Sequence, residues 1–498
     1  MYRPLLITLT MLVAVHSAPA QQDVYLEDVP DYNWFYGCFG TASGNLFGYW
    51  DRNGLPDIYT GPVNGGVAPL NTSGTNAHIW TMWASRAGYG GRATNDWGHV
   101  DDYVGVDANG GGITYRLTND PYLAAARAPH TNDCIGDFIG LSQYSWTNLN
   151  GECRGNVNAW AFNYFDVLGT RRQNYDAPTP DIQSGYRRYA QYRGYDAEVY
   201  SQVTDVYPNT PPGRGFSFED YMAEIDAGYP VIMQWQVAGV ADPSGNNPDF
   251  HAVLGYGYLH DPPGTKVIYT HNSWAQGEKL YAWNAPGLFF FRGVYVVRPK
   301  PKVTSITTFN NQTTITWEGG HSRLYDANSG VTVTTHWYVV ERGDVTSPGS
   351  FLPLSPATTD RSITVTDASP GVGFIRVRNL IRVRFQDDTL GTAITGLITN
   401  KFGPPDLLFD IDLEQIREVV APSNHIWNLR GLEYTINATN YDLRGNSITN
   451  LDLLVRAAGR GGMKPGTQVL LNGNPLDSYA ITNQIPILSA TGATIVWP

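Results

Sequence analysis

Cysteine is scarce: the 498 residues hold three, Cys38, Cys134 and Cys153. Three thiols exclude a disulfide-dense scaffold, and once two have paired one is left over. Charged residues make up 16% of the chain, the formal net charge is -12, and Lys and Arg nowhere gather into a dense patch. That balance speaks against a nucleic-acid partner, because phosphate binding needs a basic face. After the first twenty residues no stretch reaches about twenty uninterrupted apolar residues, so no membrane span is expected.

What the chain does have begins at its start. One basic residue, Arg3, precedes an apolar stretch from Leu5 to Val15 and then Ser17-Ala18-Pro19-Ala20. Small residues there suit cleavage before Gln21, and the pattern reads as a signal peptide over 1–20. A retained anchor is the competing reading. Removal of the peptide implies a secreted product, extracellular or periplasmic. Gly (53) and Pro (32) are abundant and aromatics reach 13%, the composition of a loop-rich, β-rich extracellular protein with filled cores. The length suggests two to four domains at about 150 residues each.

Residues 21–298 mix helix and strand signals, so an α+β fold is expected. Ser217 can cap a short helix in which Phe218, Met222 and Ile225 share a face and Gly228 provides the stop. The run VIMQWQV follows as a strand. Between about 60 and 155 the chain is Gly- and Asn-rich, a loop-dominated excursion that would shape a cleft. Pro299 and Pro301 mark a linker. Beyond it, over 303–400, period-two alternation in TTITW, VTVTT, SITVT and IRVRF predicts an all-β sandwich. The run YVVERG gives that stretch a resemblance to a fibronectin type III module. After Gly403-Pro404-Pro405, residues 404–498 read as a further β-rich domain with one helix near Leu413 to Val420.

Cys38 stands in DYNWFYGCFGTASGNLFGYW. Gly40, Gly44 and Gly48 recur every four residues and would form one smooth stripe on a helix. Each glycine costs roughly 1 kcal/mol in helix propensity, so close packing must compensate. A cysteine in the first turn lies near the positive end of the helix dipole, which favours thiolate over thiol. Cys134 and Cys153 lie in a turn-rich stretch, and a disulfide between them would contribute roughly 3 kcal/mol. Pairing of Cys38 with either of them is the competing arrangement.

His251 in DFHAVLGYGY begins one strand-like run, and KVIYTHNSW forms another with Asn272 at its end. Paired as a hairpin, these strands would let Asn272 accept a hydrogen bond from His251 and fix its tautomer. Trp274 would cover the pair, while alternation turns His271 to the other face.

DFHAVLGYGY and HNSW resemble the His and Asn blocks of papain-like cysteine peptidases, in that clan's order of Cys, His, Asn. The opening VPDYNWFYGCFGTASGNLFGYWDRNGLPDIYTG is more similar to the clan's bacterial C39-like branch. The resemblance implies a papain-like fold over 21–298 with Cys38 as nucleophile, His251 as general base and acid, and Asn272 as orienting residue. It implies a protein or peptide substrate, cell-wall peptide included, and no cofactor. The clan's oxyanion-hole Gln has Tyr32 at its place here, and the neighbouring Asn33 offers the amide chemistry instead. The same chemistry serves peptidoglycan amidases and acyl transferases. A different class of function has the papain-like domain as a scaffold, with the C-terminal β modules contacting polysaccharide or cell surface.

Two weaker motifs carry no expectation of metal. His99, Asp101 and Asp102 lack a second cluster, and the acids between Asp51 and Asp57 lack calcium-loop spacing.

Overall fold

The computed structural model describes residues 21–33, 38–59, 67–73, 79–83, 104–106, 113–115, 134–139, 182–208, 210, 214–241, 248–261, 264–285, 289–366 and 373–498. The signal-peptide segment 1–20, Cys153, the His99, Asp101 and Asp102 group and most of the 60–155 excursion lie outside them. The chain is a mixed α+β protein. Its centre is a ten-stranded antiparallel sheet, whose main path runs Val331–Thr334, Arg323–Asp326, Gln22–Leu26, Pro248–Asp261, Val231–Ala241, Phe289–Pro299, Ala197–Val203. Thr265–His271 and Lys279–Ala282 extend it beside the Pro248–Asp261 strand.

The helix Cys38–Arg52 packs on this sheet with every residue from Phe39 to Asp51 buried. The glycine stripe explains how. A Cβ on Gly44 would fall 2.2 Å from the Trp83 ring, and one on Gly48 would fall 2.8 Å from the Tyr32 hydroxyl. Tyr32 and Trp83 stack at 5.5 Å against that smooth face. Packing of two large aromatics therefore offsets the propensity cost of the glycines.

A second helix, Phe218–Asp226, lies on the opposite face of the sheet. Ser217 and Asp220 form a reciprocal capping box that satisfies free N–H groups at its start. Gly228 follows with φ of 91°, where a Cβ would also sit 2.2 Å from the Thr335 hydroxyl. Only glycine fits that turn without strain.

The sheet does not stop at the proline-marked linker. Asp326 pairs with Val24 and Leu324 with Leu26, so the hairpin 323–334 lends two strands to the central sheet. The remaining all-β region has two three-stranded sheets. Lys302–Phe309, Gln312–Glu318 and Ser362–Thr366 form one, and Ser347–Pro353, Trp337–Asp344 and Phe374–Leu380 the other. Ile315, Trp317, Tyr338, Val340, Val365 and Val377 fill the space between them. IRVRF, expected as a strand, is not one: the ladder ends at Leu380, and only Arg382 bridges, to Phe409. Its arginines are drawn elsewhere, Arg384 to Asp226 at 2.6 Å.

From 404 onward strands are present, but they run parallel. Glu418–Val420, Asn440–Asp442, Gln468–Leu470 and Thr494–Val496 stack in register. Parallel neighbours need crossover connections, and helices Asp452–Gly459 and Ile485–Ala490 supply two of them. The helix expected near 413–420 ends at Leu413, and Glu418–Val420 is strand. Among the described residues, no helix is long and apolar enough to cross a membrane.

Candidate functional site

His251 and Trp235 face each other across adjacent strands, which sets both on one side of the sheet. Trp235 meets the imidazole edge-on at 5.8 Å. The Trp274 indole stacks on its face, with centroids 3.7 Å apart and planes 15° apart. Tyr281 packs on Trp235 at 5.1 Å and closes the aromatic enclosure. Burial in this setting pulls the His251 pKa down to about 4, against the opposing effect of its hydrogen bond to Asn272.

That bond fixes the ring chemistry. Nε2 lies 2.7 Å from the main-chain carbonyl oxygen of Asn272. A carbonyl only accepts, so Nε2 carries the proton and Nδ1 keeps the lone pair. The acceptor is therefore backbone, and the Asn272 side chain is engaged elsewhere. Its oxygen accepts from the N–H groups of Trp274 at 3.1 Å and Ala275 at 3.4 Å, and its amide donates to the Tyr281 hydroxyl at 3.0 Å. Asn272 thus orients His251 with its main chain and holds Trp274 over it with its side chain. The turn passes through Ser273 at φ of 65°.

Cys38 is half-buried at the first residue of its helix. The N–H of Ala252, the residue directly after His251, is directed at the Cys38 sulfur, as are the N–H groups of Phe39 and Cys38 itself. Burial nevertheless pushes the thiol up, and the three N–H groups only partly offset it. The helix dipole alone led to the opposite sign. Desolvation of a charged sulfur costs more than the helix terminus returns.

No family model matches the chain, and no curated protein matches it.

The position six residues before Cys38 belongs to packing. Tyr32 is fully buried, and its hydroxyl donates to the Pro69 carbonyl at 2.7 Å. Asn33 is exposed and donates its main-chain N–H to the Thr72 hydroxyl at 3.4 Å. His271 is directed away from Asn272: it stacks on Tyr256 at 4.4 Å, and its Nδ1 lies 3.5 Å from Asp31. Cys134 is buried just before the helix Ile135–Ile139, and its expected partner Cys153 is outside the described residues. Among the described residues no three His, Cys, Asp or Glu side chains converge as metal ligands.

Trp235, Tyr281 and the Ala252 N–H escaped the sequence reading. Trp235 was visible as an aromatic within VIMQWQV, but its partner depends on strand register. The Ala252 N–H carries no side-chain signal at all.

Proposed function

We propose that the chain is a cysteine hydrolase of the papain-like kind, acting as a peptidase. The observation that carries this reading is the direction of the Ala252 N–H, which brings the Cys38 sulfur to the residue following His251. The Cys38 sulfur attacks the substrate carbonyl carbon while its proton passes to Nδ1 of His251. The same proton then goes to the leaving amine as the carbon–nitrogen bond breaks. Water, deprotonated by His251, hydrolyses the thioester and returns the thiol. The side-chain amide of Asn33 is the oxyanion donor in this scheme.

With the thiol raised and the imidazole lowered, the resting pair is neutral, so proton transfer accompanies attack. Cys38→Ala and His251→Ala, assayed on a denatured protein substrate, are each expected to abolish hydrolysis. Wild-type turnover in either variant overturns the mechanism. Profiling a peptide library that includes cell-wall peptides separates a peptidase from an amidase or acyl transferase.

The raised thiol also favours a second reading, in which the domain is a scaffold and the C-terminal region makes the contacts. Alkylation of Cys38 at neutral pH tests it. Protection by a substrate peptide supports the hydrolase, and labelling indifferent to every peptide supports the scaffold.

A further inference from the structure

The segment that leads into the Cys38 helix and the turn that holds His251 meet at one carboxylate, that of Asp31. The main chain of Asp31 is fixed, since its N–H donates to the Leu70 carbonyl at 2.8 Å. From that anchor its side chain reaches across to the turn that follows the strand Thr265–His271. Oδ2 accepts from the Gly277 N–H at 2.6 Å, and Oδ1 lies 3.5 Å from Nδ1 of His271. The backbone of Val29 and of Gly277 also bonds the His271 ring, so the same two segments meet twice.

Between His271 and Gly277 lie the groups that serve His251. The Asn272 carbonyl accepts from its Nε2, and the Trp274 indole covers its face. Trp274 is itself exposed, so its position depends on how firmly the turn is held. The side chains of Asp31 and His271 are only 15% and 10% exposed, so water competes weakly for the contacts that hold it. A carboxylate on a backbone N–H makes a short, charge-assisted hydrogen bond. Burial pushes the Asp31 carboxyl up, while the Gly277 N–H and Lys279 pull it back.

We propose that Asp31 is a positioning residue of the Cys38–His251 site: its carboxylate ties the turn from Asn272 to Gly277 onto the segment entering the nucleophile helix, and so holds the Asn272 carbonyl and the Trp274 indole on His251. Its effect on turnover rests on the hydrolase reading. Its effect on the turn does not.

Asp31→Ala and Asp31→Asn test it, with circular dichroism verifying their folds. The amide keeps an oxygen acceptor for the Gly277 N–H, and the methyl offers none. In Asp31→Ala, kcat on a denatured protein substrate is expected to fall about tenfold with KM unchanged, through loss of a charged hydrogen bond. The His251 ring protons, shifted upfield beneath the Trp274 indole, are expected to return toward random-coil positions in NMR spectra. Asp31→Asn is expected to recover most of both. Unmoved ring protons in Asp31→Ala overturn the proposal, as does a loss in Asp31→Asn equal to that in Asp31→Ala. Whatever the folding of the variants, the Gly277 amide of the unaltered protein is expected to be protected from hydrogen exchange, and fast exchange there overturns the proposal too. The ring protons are read without substrate, so a wild-type protein that hydrolyses nothing sinks the hydrolase reading while the shifts still judge Asp31.

Discussion

The indole of Trp274 lies flat on the imidazole of His251, 3.7 Å between centroids, although Trp274 itself is 59% exposed. One exposed side chain thus contributes to the dry setting of the histidine. In Trp274→Ala, water reaches the ring and its pKa rises from about 4 toward the ordinary 6.5. The acid limb of the pH–rate profile should move up with it. An unchanged limb shows that the strands alone desolvate His251.

Asn272→Ala leaves the main-chain acceptor in place and removes three side-chain hydrogen bonds. At roughly 1 kcal/mol for a neutral bond, the turn loosens and Trp274 loses its anchor. Turnover is expected to fall about tenfold, a loss of roughly 1.4 kcal/mol, with the His251 tautomer preserved in nitrogen NMR spectra. Loss of the Nε2 proton signal contradicts the backbone assignment.

Gly44→Ala gains helix propensity of roughly 1 kcal/mol but drives a methyl into the Trp83 ring. Overpacking costs typically about 1–3 kcal/mol, so the clash wins. Urea unfolding should show a net loss of stability, and a more stable variant means that the ring can move aside.

Gln234 is 1% exposed, and neither its amide oxygen nor its amide nitrogen has a hydrogen-bond partner. An unsatisfied buried amide costs roughly 1–3 kcal/mol. Gln234→Met, of similar shape, is expected to raise the unfolding midpoint in urea. A lowered midpoint shows that the amide is satisfied in solution.

Three buried histidines, His251, His271 and His336, have pKa values lowered to about 4, in each case by burial first. Between that value and 6.5 the unfolded chain binds protons that the folded chain does not. Their contribution is therefore complete above pH 6.5 and is lost as the pH falls toward 4. Thermal unfolding between pH 7 and 4 should show a steady decline, and each His→Gln variant that keeps its fold should flatten it.

Much of the scaffold was legible because the relevant forces act over a few residues. Ser217 and Asp220 cap one another three positions apart, and Gly228 stops the chain where only glycine fits. The glycine stripe of the Cys38 helix announced close packing before the identity of Trp83 as its partner was known. The pairing of the His251 strand with the strand ending at His271 followed from two adjacent apolar runs. IRVRF misled because alternation marks a strand without fixing where its ladder ends.

By itself, the sequence determined the order of the Cys38, His251 and Asn272 segments, the caps, and the alternation that makes strands. Tertiary structure decided which atom of Asn272 serves His251, since a main-chain carbonyl is present at every residue and only the turn through Ser273 aims this one. It decided the sign of the shift at Cys38, because dipole and burial oppose each other and burial depends on how the helix packs in the folded chain. It also decided that residues 323–334 join the central sheet and that the C-terminal strands run parallel. Strand partners are chosen by long-range register and core packing, which no local pattern encodes.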